Sequence, residues 1–286
     1  RALHPFAHFR AEVDGYGILF IRERGRGPNP LPLIITHGWP SSFVEMTKII
    51  PLLTARGFDV VVPSLPGCGY SDRPSKLMTR TRTAALWKKL MTDVLGYRRF
   101  VARGADIGST ITAFLGLDHA DAVAGIHLSD VPRPYLGAGA APLTAAEQQF
   151  LAEEADWMRR EGAYDYIQAT KPQTLGYALN DSPVGLAAWL VEKYRSWSDC
   201  GGGVERRFTK DELLSNVTLY WVTETINSAN RLYFDRGHAL RELGPDDRIP
   251  VPCPFAMFPA DIDRPPREYA ERTCNLAPCA EIAGAR

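Results

Sequence analysis

The chain lacks an excess charge of either sign. Lysines and arginines number 33, aspartates and glutamates 33, and the formal net charge is zero. No electrostatic footprint for nucleic acid or an anionic lipid surface follows from that balance. No apolar run approaches the ~18 residues that a membrane span needs. The first residues, RALHPFAHFR, lack the apolar stretch of a secretory signal. Cysteine is scarce: Cys68, Cys200, Cys253, Cys274 and Cys279 are five, an odd number without closely spaced pairs beside histidines. Neither a disulfide framework nor a zinc site is expected, and reduced thiols in a cytoplasm are. No metal, cofactor, repeat or low-complexity tract is expected. Histidine is scarcer still where it would matter: none follows His238.

What is present is a core-forming chain of 286 residues, 45% of them hydrophobic. Short β-branched runs at 33–36, 58–63, 100–103 and 125–128 alternate with helical patterns, and two more strands at 9–13 and 18–22 flank the turn Asp14-Gly15. Ser41 or Ser42 is expected to cap the first helix, and the second is expected over 83–95. This alternation predicts a mostly parallel sheet with helices on both faces. From about 144 to 234 the pattern is helical and rich in aromatics, including Trp157, Tyr164, Tyr166, Trp189, Tyr194, Trp197, Tyr220 and Trp221. A helical insertion over the sheet accounts for it. Strand character returns at 251–258.

Ligands in such sheets bind beyond the carboxyl ends of the strands. Three ends attract attention: His37-Gly38-Trp39-Pro40, Gly104-Ala105-Asp106-Ile107-Gly108, and Pro259-Ala260-Asp261. The middle one has the frame G-x-D-x-G, an aspartate where a nucleophilic serine often sits on a strand-to-helix turn. Small residues suit so sharp a turn. The helix N-terminus above Asp106 favours an anion, so a low pKa is expected. Asp106 reads either as a nucleophile or as an ordinary helix N-cap. Gly67-Cys68-Gly69 is not a dinucleotide fingerprint, because Asp72 and Pro74 follow it.

HGWPSSF, PGCGYSDRP, GADIGS, YIQATKPQTLGYALNDSPVGLAAWLVEKY and LLSNVTLYWVTETINSANRLYF resemble the microsomal-type epoxide hydrolases of the α/β-hydrolase superfamily. The resemblance runs from about residue 6 to residue 261. It implies an α/β-hydrolase fold with core segments 1–132 and 246–286 and a helical cap over 133–245. It also implies that Asp106 opens a small apolar epoxide and forms an ester. Tyr164 and Tyr233 would then donate to the epoxide oxygen, with Tyr166 as the runner-up. Trp39 and Ile107 would give the oxyanion donors. His37 and Trp39 would adjoin the substrate. Asp261, with Asp263 in reserve, would orient a histidine that activates water.

That histidine, usually in a GGHF-like stretch, has no counterpart in the sequence. The N-terminal wrapping segment, the last strand and the closing helix are accordingly expected to be missing, by fragmentation or a disrupted reading frame near residue 274. Ester cleavage is expected to be impaired. A haloalkane dehalogenase with the same nucleophile and a non-catalytic protein binding apolar ligands are the alternatives.

Overall fold

The computed structural model describes residues 5–239 and 241–276. Strands β1 (His8–Val13) and β2 (Tyr16–Glu23) form a hairpin. Asp14 and Gly15 at its turn have φ of 50° and 78°, the positive values that a two-residue hairpin turn demands. Strands β3 (Leu31–Thr36), β4 (Phe58–Pro63), β5 (Phe100–Gly104) and β6 (Val123–Leu128) complete the sheet in the order β1-β2-β4-β3-β5-β6. The pairs from β4 through β3 and β5 to β6 are parallel, and β2 meets β4 antiparallel.

Two-residue periodicity distributes the apolar strand residues between the sheet faces. Leu33, Ile35, Val60 and Val62 pack with Phe43 and Ile50 on one face. Ile34 and Val61 pack on the other, in the core cluster that holds Trp87, Leu90, Ile111 and Phe114. The first face is covered by a 3-10 segment, Phe43–Lys48, and by α1 (Ile50–Thr54); the second is covered by α2 (Arg80–Lys89) and α3 (Ile107–Asp118). Of the two serines expected to cap the first helix, Ser42 does so, accepting from the Val44 N–H. The second helix begins three residues earlier than expected because Thr79 caps it, and it ends in a π-helical turn, Leu90–Val94.

After an irregular stretch over residues 129–144 the chain is mainly helical, as α4 (Ala145–Glu161), α5 (Ala163–Thr170), α6 (Pro172–Asp181), α7 (Pro183–Ser196), α8 (Lys210–Thr223) and α9 (Ile226–Ala239). Thr144 with Glu147 and Thr209 with Glu212 form capping boxes at α4 and α8. Prolines open α6 and α7, where a missing N–H costs no helical bond.

The next strand is shorter than expected. β7 covers Ile249–Pro252 and lies outside the six-stranded sheet; an isolated parallel bridge between Leu128 and Phe255 links the following segment to the end of β6. Pro250, Pro252 and Pro254 supply no N–H, so a long ladder cannot form there. The helix α10 (Arg267–Glu271) returns the chain to β8 (Cys274–Asn275), which pairs parallel with β7. Within the described residues β8 is two residues long. Residues 277–286, including Cys279, lie outside the described residues.

Arg272 fastens this last segment to the helical layer. Its Nε and Nη2 donate to Glu147 at 2.5 and 2.8 Å, and its Nη1 and Nη2 donate to the Ala141 and Pro142 carbonyls. The Glu147 side chain is fully covered although it lies near the protein surface. Arg272 holds the Glu147 carboxyl below its usual range. That stabilisation is present above the unfolded-state pKa and lost as pH falls through the folded one. Arg272→Ala is expected to cost about 2 kcal/mol at pH 7, below the ~3–5 kcal/mol typical of breaking a deep ion pair, and less in acid. Urea denaturation at pH 7 and pH 4 measures both.

Candidate active site

The sheet order reverses at β3: the next strand, β4, lies on one side of it and β5 on the other. Thr36 at the end of β3 pairs with Gly104 at the end of β5. The His37–Trp39 loop and the turn at Asp106 are adjacent for that reason alone. Contact is intimate. A Cβ on Gly108 would lie 2.2 Å from the Thr36 carbonyl oxygen, and one on Gly38 would lie 2.1 Å from Asp106 Oδ1. Only hydrogen fits at either position.

Asp106 has φ 54° and ψ −129°, a strained conformation for a residue with a side chain. Its carboxylate does not cap α3. Instead Oδ1 accepts the Trp39 N–H at 2.7 Å, and the carboxylate also accepts from the Ile107 N–H. Both expected oxyanion donors thus face this carboxylate. The Asp106 N–H donates to Asp130 Oδ2 at 2.5 Å.

The low pKa expected for Asp106 is corrected by its surroundings. Protein atoms crowding the carboxyl displace water and push it up to about 6, although the residue stays exposed to the hollow, and the neighbouring Asp130 charge adds to the rise. The Ile107 and Trp39 N–H groups and the Arg80 guanidinium pull the other way and only partly offset it. Desolvation outweighs the helix terminus here. The side chain nevertheless stays open to a hollow of about 210 Å³, whose lining includes Gly38, Trp39, Glu45, Lys193, Tyr194 and Trp197.

Trp39 is the hub of the aromatics around this hollow. Its ring stacks on Tyr164, with centroids 5.4 Å apart and planes 3° apart. Tyr233 meets it edge-on at 5.7 Å, and Trp197 at 6.2 Å. Tyr164 and Tyr233 are 5.7 Å apart, centroid to centroid. Neither tyrosine lines the hollow itself. Both lie within electrostatic reach of Asp106: burial first, then that charge, pushes the Tyr164 and Tyr233 phenols well above the usual tyrosine range.

The two tyrosine helices are tied together and to the core. Arg236 on α9 donates to Asp165 on α5 at 2.6 and 2.8 Å. Asp235 accepts the Met78 N–H at 2.8 Å, and buried Arg80 donates to the Leu232 carbonyl. From α8, Asn216 donates to the Pro40 carbonyl at 2.7 Å and Tyr220 to that of Ser41 at 2.8 Å, pinning the loop that carries Trp39.

Two expected substrate contacts are not brought together. Tyr166 is 75% exposed, because two residues along a helix turn it ~200° away from Tyr164. His37 is fully buried. The Leu65 N–H donates to its Nε2 at 3.1 Å, so Nδ1 carries the proton toward the Gly38 carbonyl, 2.9 Å away. Burial lowers its pKa to about 4. His37 is a neutral strut between two loops, and no substrate reaches it. Asp261 is half-buried after β7, its Oδ1 accepting the Ile262 N–H at 2.8 Å. Burial, then Asp130, raises its pKa, and the same two causes lead in pushing Asp263 to about 7. Both acids therefore lie within electrostatic reach of Asp130.

Sequence reasoning missed Asp130, Arg80 and Lys193. Asp130 follows β6, and the strand-end rule applied to a fourth strand finds it. Lys193 has Nζ 5.0 Å from the Tyr164 ring centroid and 5.4 Å from that of Trp197. Trp197 was legible only as one aromatic of many.

Comparison with known proteins places this geometry. The alpha/beta hydrolase fold family matches residues 32–181, and the epoxide hydrolase N terminus matches residues 1–46. Epoxide hydrolase 1 of Oryctolagus cuniculus is 35% identical over 308 residues, 93% of this chain and 67% of that protein. The chain belongs to the epoxide hydrolase family. A relative from Stigmatella aurantiaca is 39% identical over 284 residues, 95% of this chain and 63% of its own length. The chain thus spans about two thirds of the length of these relatives. The structure of Aspergillus niger epoxide hydrolase superposes with a TM-score of 0.83 at 32% identity, covering 99% of this chain and 73% of that one. Among the described residues of this epoxide hydrolase family member, no helix is long and apolar enough to cross a membrane.

Gly108→Ala tests the turn. Helix propensity alone would favour alanine by roughly 0.5–1 kcal/mol. The contact with the Thr36 carbonyl is expected to reverse that sign and cost about 1–3 kcal/mol, read from the urea midpoint.

Proposed function

We propose that the chain opens apolar epoxides through a covalent ester on Asp106. The observation that carries the reading is the Asp106 carboxylate itself. It borders a hollow beneath aromatic rings, with two backbone N–H groups directed at it and two phenols within reach of its charge. The oxygen held by the Trp39 N–H stays in place, and the other attacks a ring carbon of the epoxide. The strained C–O bond breaks as the new ester bond forms. The departing oxygen takes a hydrogen bond and then a proton from Tyr164 or Tyr233, both of which remain protonated far above neutral pH. On hydrolysis the ester carbonyl would become an oxyanion facing the Trp39 and Ile107 N–H groups. Asp261 is the acid assigned to orient a water-activating histidine, with Asp263 as its substitute.

Trp39, Tyr194, Trp197 and Phe208 around the hollow favour an apolar substituent on the epoxide. Residues 1–132 and 246–286 are assigned to the hydrolase core and 133–245 to the cap. The few, widely scattered cysteines, odd in number, support a cytoplasmic setting. Ester formation on Asp106 needs no histidine, so it is the step to follow on this polypeptide.

Incubation with an aryl epoxide such as styrene oxide is expected to add one epoxide mass to the chain, located at Asp106 by peptide mapping and absent from Asp106→Ala. An unmodified mass on the folded protein rejects the reading. Tyr164→Phe and Tyr233→Phe are each expected to slow adduct formation by about 10²-fold. Attack needs the ionised carboxylate, so the wild-type rate is expected to rise with pH through about 6 and then hold level, since the phenols stay protonated. Stopped-time mass measurement between pH 4.5 and 9 gives that profile.

A further inference from the structure

The backbone of Asp106 needs an acceptor that the fold's regular hydrogen bonding does not give it. Residue 106 has left β5 and has not yet entered α3, so its N–H has neither a ladder nor a helical partner. The Asp130 carboxylate fills that gap at 2.5 Å. Asp130 is itself held in place. Its N–H, and that of Ser129, donate to Ser109 Oγ at 3.2 and 3.3 Å, and that hydroxyl donates to the Gly104 carbonyl at 2.8 Å. Ser129 Oγ in turn accepts from Arg103 at 2.7 Å. The end of β6 is thereby fastened to both sides of the strained turn.

We infer that Asp130 is a positioning residue for the Asp106 reaction: its carboxylate holds the turn from behind through the Asp106 N–H, and its charge favours conversion of the Asp106 carboxylate into a neutral ester. The inference rests on the reading of Asp106 as the nucleophile and adds a residue to it. The electrostatic part follows from charge alone. Two nearby anions repel, and forming the ester removes one of them. The same charge would oppose the oxyanion in the later hydrolysis, so Asp130 favours the first half of the reaction over the second.

Other charges act on this pair. Arg80 of α2 faces Asp106 from below, and Tyr164, Tyr220 and Tyr233 face it from α5, α8 and α9. Glu45 and Lys193 border the same hollow. Arg103 of β5 faces Asp130, as do Asp261 and Asp263 from the segment after β7. Substituting Asp130 leaves every one of these in place, so the change isolates one charge and one hydrogen bond.

Two variants separate the two roles. Asp130→Asn keeps an acceptor for the Asp106 N–H and removes the charge; Asp130→Ala removes both. Two measurements are made on each and on the wild type: adduct formation with styrene oxide as a function of pH, and titration of the Asp106 side-chain carboxyl by ¹³C NMR, assigned with Asp106→Asn. Asp130→Asn is expected to shift the Asp106 midpoint and the pH–rate profile to lower pH, with a slower plateau because the carboxylate is less basic. Asp130→Ala is expected to slow the plateau by about a further tenfold, as the turn loses its acceptor. Midpoints equal to wild type in Asp130→Asn, or plateau rates within about twofold in both variants, overturn the inference. If Asp130→Ala does not fold, the shift in Asp130→Asn decides. An absent adduct on the wild type would reject Asp106 as nucleophile, while the carboxyl titration would still reveal whether Asp130 acts on it.

Discussion

The backbone at Asp106 carries the constraint on which the site is built. A φ of 54° is uncommon for a residue with a side chain and persists only where surrounding contacts over-determine it. Three contacts do so here. Gly108 closes against the Thr36 carbonyl, Gly38 leaves room for the carboxylate, and Asp130 accepts the N–H. Each comes from a different strand end: β5, β3 and β6. The parallel sheet, by bringing those ends to one edge, supplies the over-determination. Without the strain the side chain would cap α3 like many aspartates at helix starts. With it, the carboxylate turns to the Trp39 N–H and the hollow.

Burial then sets the electrostatics. Desolvation raises Asp106, and the charges of Asp130 and Arg80 oppose each other over it. The outcome is a carboxylate that is ionised at neutral pH yet more basic than one in water. That combination suits attack on a strained ether, for which a fully stabilised anion would be a poor nucleophile. The same loss of solvation keeps Tyr164 and Tyr233 protonated at neutral pH, as the proposed donor role requires. One physical effect, the crowding out of water by surrounding protein atoms, raises the carboxyl and both phenols, although Asp106 keeps a face open to the hollow.

The sheet was legible because its signal is local. β-branched runs mark β3, β4 and β6, and the Asp14-Gly15 turn marks the hairpin. The glycines of G-A-D-I-G were readable as steric necessities before any contact was known. What was hidden depends on three-dimensional neighbours. The pKa of Asp106 was misjudged because the helix terminus is visible in sequence and depth is not. Tyr166 was set beside Tyr164 because both occur in one motif, although helical geometry alone separates them by ~200°. His37 ends a strand like a site residue, but its partner, the Leu65 N–H, comes from the loop after another strand. β7 was overextended because three alternating prolines, each a missing donor, were not counted against the strand.

The helical layer contributes more than aromatic cover. Tyr164 and Tyr233 belong to separate helices, so their joint placement over Asp106 must be enforced by contacts between those helices and the sheet. The Asp165–Arg236 pair fixes one helix to the other, and Asp235 with Met78 and Arg80 with Leu232 fix α9 to the sheet domain. Arg80 does double service. It binds the backbone one residue before Tyr233 and also places a positive charge near Asp106. A displacement of α9 would therefore move Tyr233 and disturb the environment of Asp106 together. The donor and the carboxylate are coupled through that one buried guanidinium, which explains why a charge so costly to bury stands between the core and its cover.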